Sequence, residues 1–449
     1  MTQEHSIKTI VACATGHIQA GISIVRISGP LASQIGHQLT NKETPEPNRA
    51  ACRMLFDHNG DAIDQSVVLF FKGPASFTGE DLLELHTHGS PYVVGQVIES
   101  AMGHGAVLAK PGEFSERAFL NGKIDLVQAE SIADLIASQT KAQAAAALGS
   151  LQGVFSEEVA ELQDALSHAR TQLEAAIDFS EQDIDVTEET ALKKSIKEIV
   201  HKTETLIVKV KRAIVTQSGV KIVMLGEPNV GKSSLLNQLT QQDSAIVTDI
   251  PGTTRDTLKA TISHQGQALD VIDTAGLRES SDPIESIGIK KAIEAVQTAN
   301  VIWLVVDAST TTAQKVEAQI THVPQEKRKA VVVVGNKSDL VEAKAPSFSF
   351  LDVMISAKNG ANLNTLLDLS LKQCIDAPEK SPFSARQRHL AALETFKGHL
   401  TAALSVPTGQ ADLAAEDLRY AQKSLSEITG EFHTEDLLDA IFGTFCLGK

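Results

Sequence analysis

The chain has 449 residues, 42% of them hydrophobic and 21% charged, with a formal net charge of −16. That balance fills the cores of about two to four domains and excludes a low-complexity protein. The acidic excess argues against a surface that holds nucleic acid unaided, since no basic stripe is visible. No apolar run approaches the roughly 20 residues of a membrane span. Residues 1–9 lack the features of a signal peptide, and Cys13, Cys52, Cys374 and Cys446 form no C-x-x-C pair, so a cytoplasmic enzyme without a disulfide framework or cysteine zinc site is expected.

Residues 1–121 read as an α+β domain. Gly21–Ile27 alternates as a strand, Val67–Phe71 is a buried strand stopped by Gly73-Pro74, Leu82–His86 is another strand, and Tyr92–Met102 suits a helix ended by Gly103. Arg26 and Glu84 lie in these runs and read, from the residues alone, as solvent-facing strand positions. His86 and His88 would share a face of an extended segment, but no third zinc ligand is evident; ordinary polar roles are expected for them and for His104.

From residue 122 to 217 the texture is helical. Leu151, Phe155, Val159, Leu162, Leu166, Ala169, Leu173 and Ala176 recur at spacings of 4 and 3, which predicts one continuous seam on a long helix. Acidic, loop-like sequence follows over Asp178–Asp185. Leu192, Ile196, Ile199, Leu206, Val210 and Ile214 then mark a second helix. Stripes of this kind are bundle core, so partner helices are expected.

Residues 218–380 carry the strongest signal. Gly226-Glu227-Pro228-Asn229-Val230-Gly231-Lys232-Ser233 fits G-x-x-x-x-G-K-[ST] between an apolar run, Val220–Leu225, and a helical one, Ser234–Leu239. Glycines let successive N–H groups face phosphate oxygens, and the helix N-terminus adds its positive end. Lys232 should reach the outer phosphates and the Ser233 hydroxyl should ligate Mg²⁺. The loop Thr248–Asp256 can bring a threonine hydroxyl to the same ion. A hairpin around Gln265-Gly266 delivers Asp273-Thr274-Ala275-Gly276, with Asp273 on Mg²⁺ through water and the Gly276 N–H near the γ-phosphate. Val301–Val306 and Val331–Val334 read as buried parallel strands of a doubly wound sheet.

Asn336-Lys337-Ser338-Asp339 follows the last of these. Guanine presents N1–H and its 2-amine side by side, and one carboxylate accepts both, whereas adenine leaves it unsatisfied. Ser356-Ala357-Lys358 can cover the base from its other edge. Four elements in this order, each at a strand end, identify a guanine-nucleotide domain. The nucleotide set is Asn229, Val230, Gly231, Lys232, Ser233, Ser234, Thr248, Thr253, Thr254, Asp273, Thr274, Ala275, Gly276, Asn336, Lys337, Asp339, Ser356, Ala357 and Lys358. Leu277 stands where Ras-like proteins carry the water-orienting glutamine. Another group must serve; Glu285 is a candidate.

Residues 381–449 return to helical periodicity through Leu390, Leu393, Phe396, Leu400 and Leu404, then Leu413, Leu418, Ala421 and Leu425. The nucleotide domain is thus expected as an insertion, with 122–217 and 381–449 packing as one bundle. An apolar helix then delivers Cys446 to the last four residues, where a cysteine is ordinarily a small hydrophobe.

Together these pieces resemble the MnmE (TrmE) family of tRNA-modification GTPases. The markers are Phe77-Thr78-Gly79-Glu80-Asp81 with Glu84-Leu85-His86-Thr87-His88-Gly89, Pro111–Phe119, the GTPase set, Asp249–Asp256, Leu425–Glu431 and the terminal Cys446-Leu447-Gly448-Lys449. The resemblance covers essentially the whole chain and implies a multidomain fold: an α+β folate-binding and dimerisation domain, an α-helical bundle domain and an inserted α/β P-loop G domain. It implies a cytoplasmic homodimer that, with the flavoprotein MnmG, places a carboxymethylaminomethyl-type group at C5 of the wobble uridine of certain tRNAs. By motif matching, a formyl-tetrahydrofolate derivative would contact Arg26, Glu84, Lys123 and Lys449. Potassium would be held by Asn229, Thr248, Ile250 and Thr253, and Mg²⁺ by Ser233 and Thr254. Glu285 matches the family's water-orienting acid, and Cys446 takes a suspected functional role. A cation near the β/γ bridge supplies what an arginine finger supplies elsewhere. The segment Thr15–Gly21 departs from the family's usual Pro-Pro-Gly-Arg-Gly-Gly, and Leu447 replaces a common isoleucine at nearly constant volume. The rival reading is a regulatory GTP switch whose flanking domains only bind partners.

Overall fold

The computed structural model describes residues 8–16, 19–178, 186–241, 245–246, 258–273, 294–341, 349–374, 381–407, 410–431, 434–445 and 448. Contacts among them divide the chain into two units. The first comprises 1–133, 151–200 and 392–449; the second comprises 134–150 and 201–391.

The first unit opens with the strands β1 (Ile10–Cys13), β2 (Ala20–Ser28), β3 (Ala51–Phe56), β4 (Ala62–Phe71), β5 (Leu82–Gly89) and β6 (Val107–Leu108). They form a sheet in the order β3-β4-β5-β2-β1-β6. Its neighbours are antiparallel except β1–β6. Alternation sends Val25, Ile27, Leu83 and Leu85 to one face, where they join Ile35, Leu39, Val94 and Val97 of the helices Ala32–Thr40 and Pro91–Gly103 in one apolar core. The other face carries Arg26 opposite Glu84 and Ile24 opposite His86.

The helical seam is interrupted. Gly153 adopts φ 93° and ends one helix, Lys141–Leu151, before Val154–Asp178 begins. Leu151 therefore belongs to the earlier helix, and the continuous stripe expected from its spacing starts at Phe155. From there Phe155, Val159, Leu162, Leu166, Ala169 and Leu173 are all buried. This helix packs on Ala411–Thr429; Gln163 Nε2 donates to Ser426 Oγ at 3.2 Å, and Arg170 donates to Gln422. A second departure is Leu413, which is 53% exposed while Leu418, Ala421 and Leu425 are sealed.

The second unit holds β7 (Val220–Leu225), β8 (Ala245–Ile246), β9 (Leu258–His264), β10 (Gln267–Asp273), β11 (Val301–Asp307), β12 (Val331–Asn336) and β13 (Val353–Met354). Their order among the described residues is β13-β12-β11-β7-β10-β9-β8. The five strands from β13 to β10 pair in parallel, and β9 and β8 close the edge antiparallel. Val, Ile and Leu dominate β7, β11 and β12 because both faces of these strands are buried. Trp303, fully buried on β11, donates from Nε1 to Ser370 Oγ at 2.8 Å in the helix Leu363–Cys374, so its one polar atom is satisfied inside the core. In this unit Ser150 also ties the helix Lys141–Leu151 to Ser384, accepting from its backbone N–H at 2.9 Å. No helix among the described residues is long and apolar enough to cross a membrane.

Candidate functional site

The carboxyl ends of β7, β10, β11 and β12 converge, the place where open α/β sheets bind ligands. β7 runs into the loop Gly226–Gly231, and the helix Lys232–Thr240 starts directly behind it with Gly231 as its N-cap. Gly226 has φ 147° and Gly231 φ 97°. A Cβ at Gly226 would overlap the Val305 carbonyl, and one at Gly231 would overlap the Asn336 side-chain amide. The two glycines are therefore required by space as well as by backbone angle. Asn229 takes φ 63°, a region asparagine tolerates better than most residues, and is exposed on the loop.

Lys232 is 6% exposed, and its Nζ donates to the carbonyls of Gly226 and Glu227, both at 2.9 Å. The ammonium is thus folded over the loop that would receive phosphate. Ser233 Oγ donates to Asp273 Oδ2 at 3.2 Å, with Asp273 fully buried at the end of β10. A hydroxyl at a helix start and a carboxylate at a strand end form the kind of oxygen donor set that Mg²⁺ prefers beside phosphates. Ser234 is exposed one position further on.

The loops expected to read the base are joined by one side chain. Asn336, 2% exposed, donates from Nδ2 to the Val230 carbonyl and accepts at Oδ1 from the Ala357 N–H, both at 2.9 Å. It thereby locks the phosphate loop to the Ser356-Ala357-Lys358 loop. Ser356 donates to Asp339 Oδ1 at 2.6 Å, and that hydrogen bond, foremost among the influences on the group, holds the Asp339 carboxyl below the usual carboxylate range. Lys337 adopts φ 63° and pairs through Nζ with Asp307 Oδ2 at 2.7 Å. Burial pushes the Asp307 carboxyl up, but the hydrogen bonds from Lys337 and Ser309 prevail and keep it low. No motif in the chain contains Asp307, the residue that fixes Lys337. Its signal was an acidic residue closing an otherwise apolar parallel strand, in register with Asn336.

The second constellation lies in the first unit. Arg26 donates to Glu84 Oε1 from Nε at 3.0 Å and from Nη2 at 2.7 Å, and its guanidinium lies 5.6 Å from the Phe77 ring centre and 5.7 Å from that of Phe114. The side chains are only 16% and 13% exposed. Neither residue is the solvent-facing strand position expected from its run; they pair across β2 and β5 because the register sets them opposite each other. Lys123 Nζ donates to the Pro74 carbonyl at 3.0 Å, so Lys123 and Arg26 both border the loop Gly73–Asp81. That loop is held by Glu80, which accepts from Ser28 at 2.7 Å and from Arg117 at 3.0 Å. The Thr78-Gly79-Glu80-Asp81 motif was recognisable in the chain, but its clamp role needed the fold. His86 stands beside Glu84, and His88 pairs with Asp64 at 2.7 Å. Among the described residues no group of three His, Cys, Asp or Glu could hold a metal ion.

Thr248, Ile250, Thr253, Thr254, Thr274, Ala275, Gly276, Glu285, Cys446 and Lys449 lie outside the described residues. Gly448 lies within them, buried against the backbone of Cys13 and Ala14 at the end of β1.

The family description "MnmE helical domain" matches residues 126–446, and "GTP-binding protein TrmE N-terminus" matches residues 9–123. A tRNA modification GTPase MnmE from Legionella pneumophila (strain Paris) is 42% identical over 447 residues, covering 99% of this chain and 100% of the relative. The tRNA modification GTPase MnmE of Methylococcus capsulatus is 44% identical over 446 residues, with 98% of each chain covered. Among solved structures, the G domain of the T. maritima FeoB iron transporter is 26% identical and covers 34% of this chain and 98% of that one, with a TM-score of 0.26.

Proposed function

The chain belongs to the MnmE family of tRNA modification GTPases, and from that premise we propose that it hydrolyses GTP to drive modification at C5 of the wobble uridine of certain tRNAs, acting with the flavoprotein MnmG. The observation that carries the nucleotide half is the Asp339 carboxylate, aimed by Ser356 in a loop that Asn336 ties to the phosphate loop. An acceptor fixed in that way selects a base with paired N–H donors, which is guanine.

The residues divide the work as follows. Backbone N–H groups of Asn229 to Ser233 cradle the phosphates, and Lys232 exchanges its loop carbonyls for phosphate oxygens. Ser233, Asp273 and Thr254 serve the Mg²⁺ position; Asn229, Thr248, Ile250 and Thr253 serve a potassium position. Cations held by these residues would supply positive charge to offset the negative charge that develops in phosphoryl transfer. Glu285 orients the attacking water in place of the glutamine that Leu277 cannot replace. In the first domain Arg26, Glu84, Lys123 and Lys449 hold a formyl-tetrahydrofolate, which brings the one-carbon unit. The Arg26–Glu84 pair suits that ligand because it offers a carboxylate beside a fixed guanidinium that lies within 5.7 Å of two aromatic ring centres. The protein works as a cytoplasmic homodimer, with residues 1–121 as the folate and dimerisation domain. Residues 122–217 and 381–449 form the helical domain around a G domain at 218–380. At a net charge of −16, the tRNA is held largely by basic surface on MnmG.

The test is the wobble-base composition of tRNA from cells lacking this protein. The unmodified uridine should accumulate, and a copy carrying Arg26→Ala should fail to restore the modification. Fully modified wobble uridines in those cells, with no binding of 5-formyl-tetrahydrofolate by the purified chain, would leave a regulatory GTP switch as the function.

A further inference from the structure

Glu84 uses its two oxygens unequally. Oε1 accepts both Arg26 hydrogen bonds, at 3.0 and 2.7 Å. Oε2 faces His86, whose Nε2 stands 3.4 Å away. A charge-assisted contact ordinarily closes to about 2.7–2.9 Å, so this one is loose; hydrogen bonds in unliganded sites commonly tighten only when the ligand arrives. Alternation along β5 places the imidazole there, since His86 lies two positions beyond Glu84 and therefore on the same face of the sheet. The imidazole is 27% exposed, against 13% for Glu84, so it borders the carboxylate on its open side. The neighbouring histidine is committed elsewhere: the His88 ring bonds Asp64 at 2.7 Å, and its backbone N–H donates to the same carboxylate at 2.8 Å.

We propose that His86 is a positioning residue of the folate site. Its Nε2–H steadies Glu84 Oε2, so that the remaining lone pair of that oxygen meets a ring N–H of the ligand, a reduced pterin with its donor edge turned to the carboxylate. The inference rests on the folate reading above. His86 acts through Glu84, so its contribution should disappear when the carboxylate does.

The experiment measures 5-formyl-tetrahydrofolate binding to the full chain by titration calorimetry, with the thermal midpoint recorded for each variant. His86→Ala should weaken binding about tenfold, and His86→Gln, whose amide restores a donor, should stay within about threefold of the unsubstituted chain. In a Glu84→Gln background, His86→Ala should add less than about twofold. Thermal midpoints should not follow this pattern. Should the alanine variant not fold, His86→Leu keeps the bulk, removes the donor and carries the same expectation. The proposal is overturned if His86→Ala binds as the unsubstituted chain does, if glutamine is as poor as alanine, or if the full loss persists beside Glu84→Gln. Arg26→Ala separates the two failures: if it and the unsubstituted chain bind equally poorly, the folate reading itself falls.

Discussion

In the role proposed for it, reading guanine, the Asp339 carboxylate must stay ionised and stay aimed, and both demands fall on the Ser356 hydroxyl 2.6 Å away. Because that bond lowers the carboxyl's pKa, the favourable charged form is present throughout the pH range above the ordinary carboxylate value and is lost only as pH falls through the depressed one. Ser356→Ala should raise that point, so the acid limb of GDP binding begins at a higher pH; a fluorescent-nucleotide titration with an unchanged acid limb would refute the assignment. Asp339→Asn removes the paired acceptor. It should lower GTP affinity by at least about a hundredfold and improve the relative affinity for xanthosine triphosphate, whose 2-carbonyl accepts from the new amide. Both residues could be picked out from the chain. Asp307, the partner of Lys337, left only the weak signal of an acidic residue closing an apolar strand, because its value depends on a strand register that no local motif contains.

Helix and loop geometry set the next tier of consequences. Gly231→Ala would drive a methyl group into the Asn336 amide at a backbone angle unsuited to alanine. The fold should survive while equilibrium dialysis shows nucleotide binding lost. The helix Val154–Asp178 offers a stability test. Leu166 is fully buried, and Leu166→Ala should cost about 2–5 kcal/mol, read from the urea transition by circular dichroism. Leu413→Ala should change stability by less than about 0.5 kcal/mol, because Leu413 is 53% exposed. Periodicity put both leucines in a core. It failed for Leu413 because that residue sits five positions before Leu418, about 140° around the helix from the seam. It also ran through Gly153, where a left-handed glycine ends the preceding helix and resets the phase.

For the molecule as a whole, the proposed cation-assisted chemistry predicts that GTP turnover is strong in potassium and falls sharply in sodium at equal ionic strength; equal rates would remove the cation from the mechanism. Glu285→Ala should keep nucleotide affinity and lose turnover, and retained turnover would take Glu285 out of its role. The amino-acid order alone determined the nucleotide class, the sequence of domain types and the family. The phosphate loop and the Asn336–Asp339 tetrapeptide carry their geometry within a dozen residues, and the helical stripes within one continuous helix, where chain connectivity enforces it. Tertiary structure decided what lies between distant positions: Arg26 on Glu84, 58 residues apart; Ser233 on Asp273, 40 apart; Asn336 on Val230, 106 apart. Such pairings follow from strand register and sheet order, and these are set by the packing of whole faces, which no short stretch of sequence encodes.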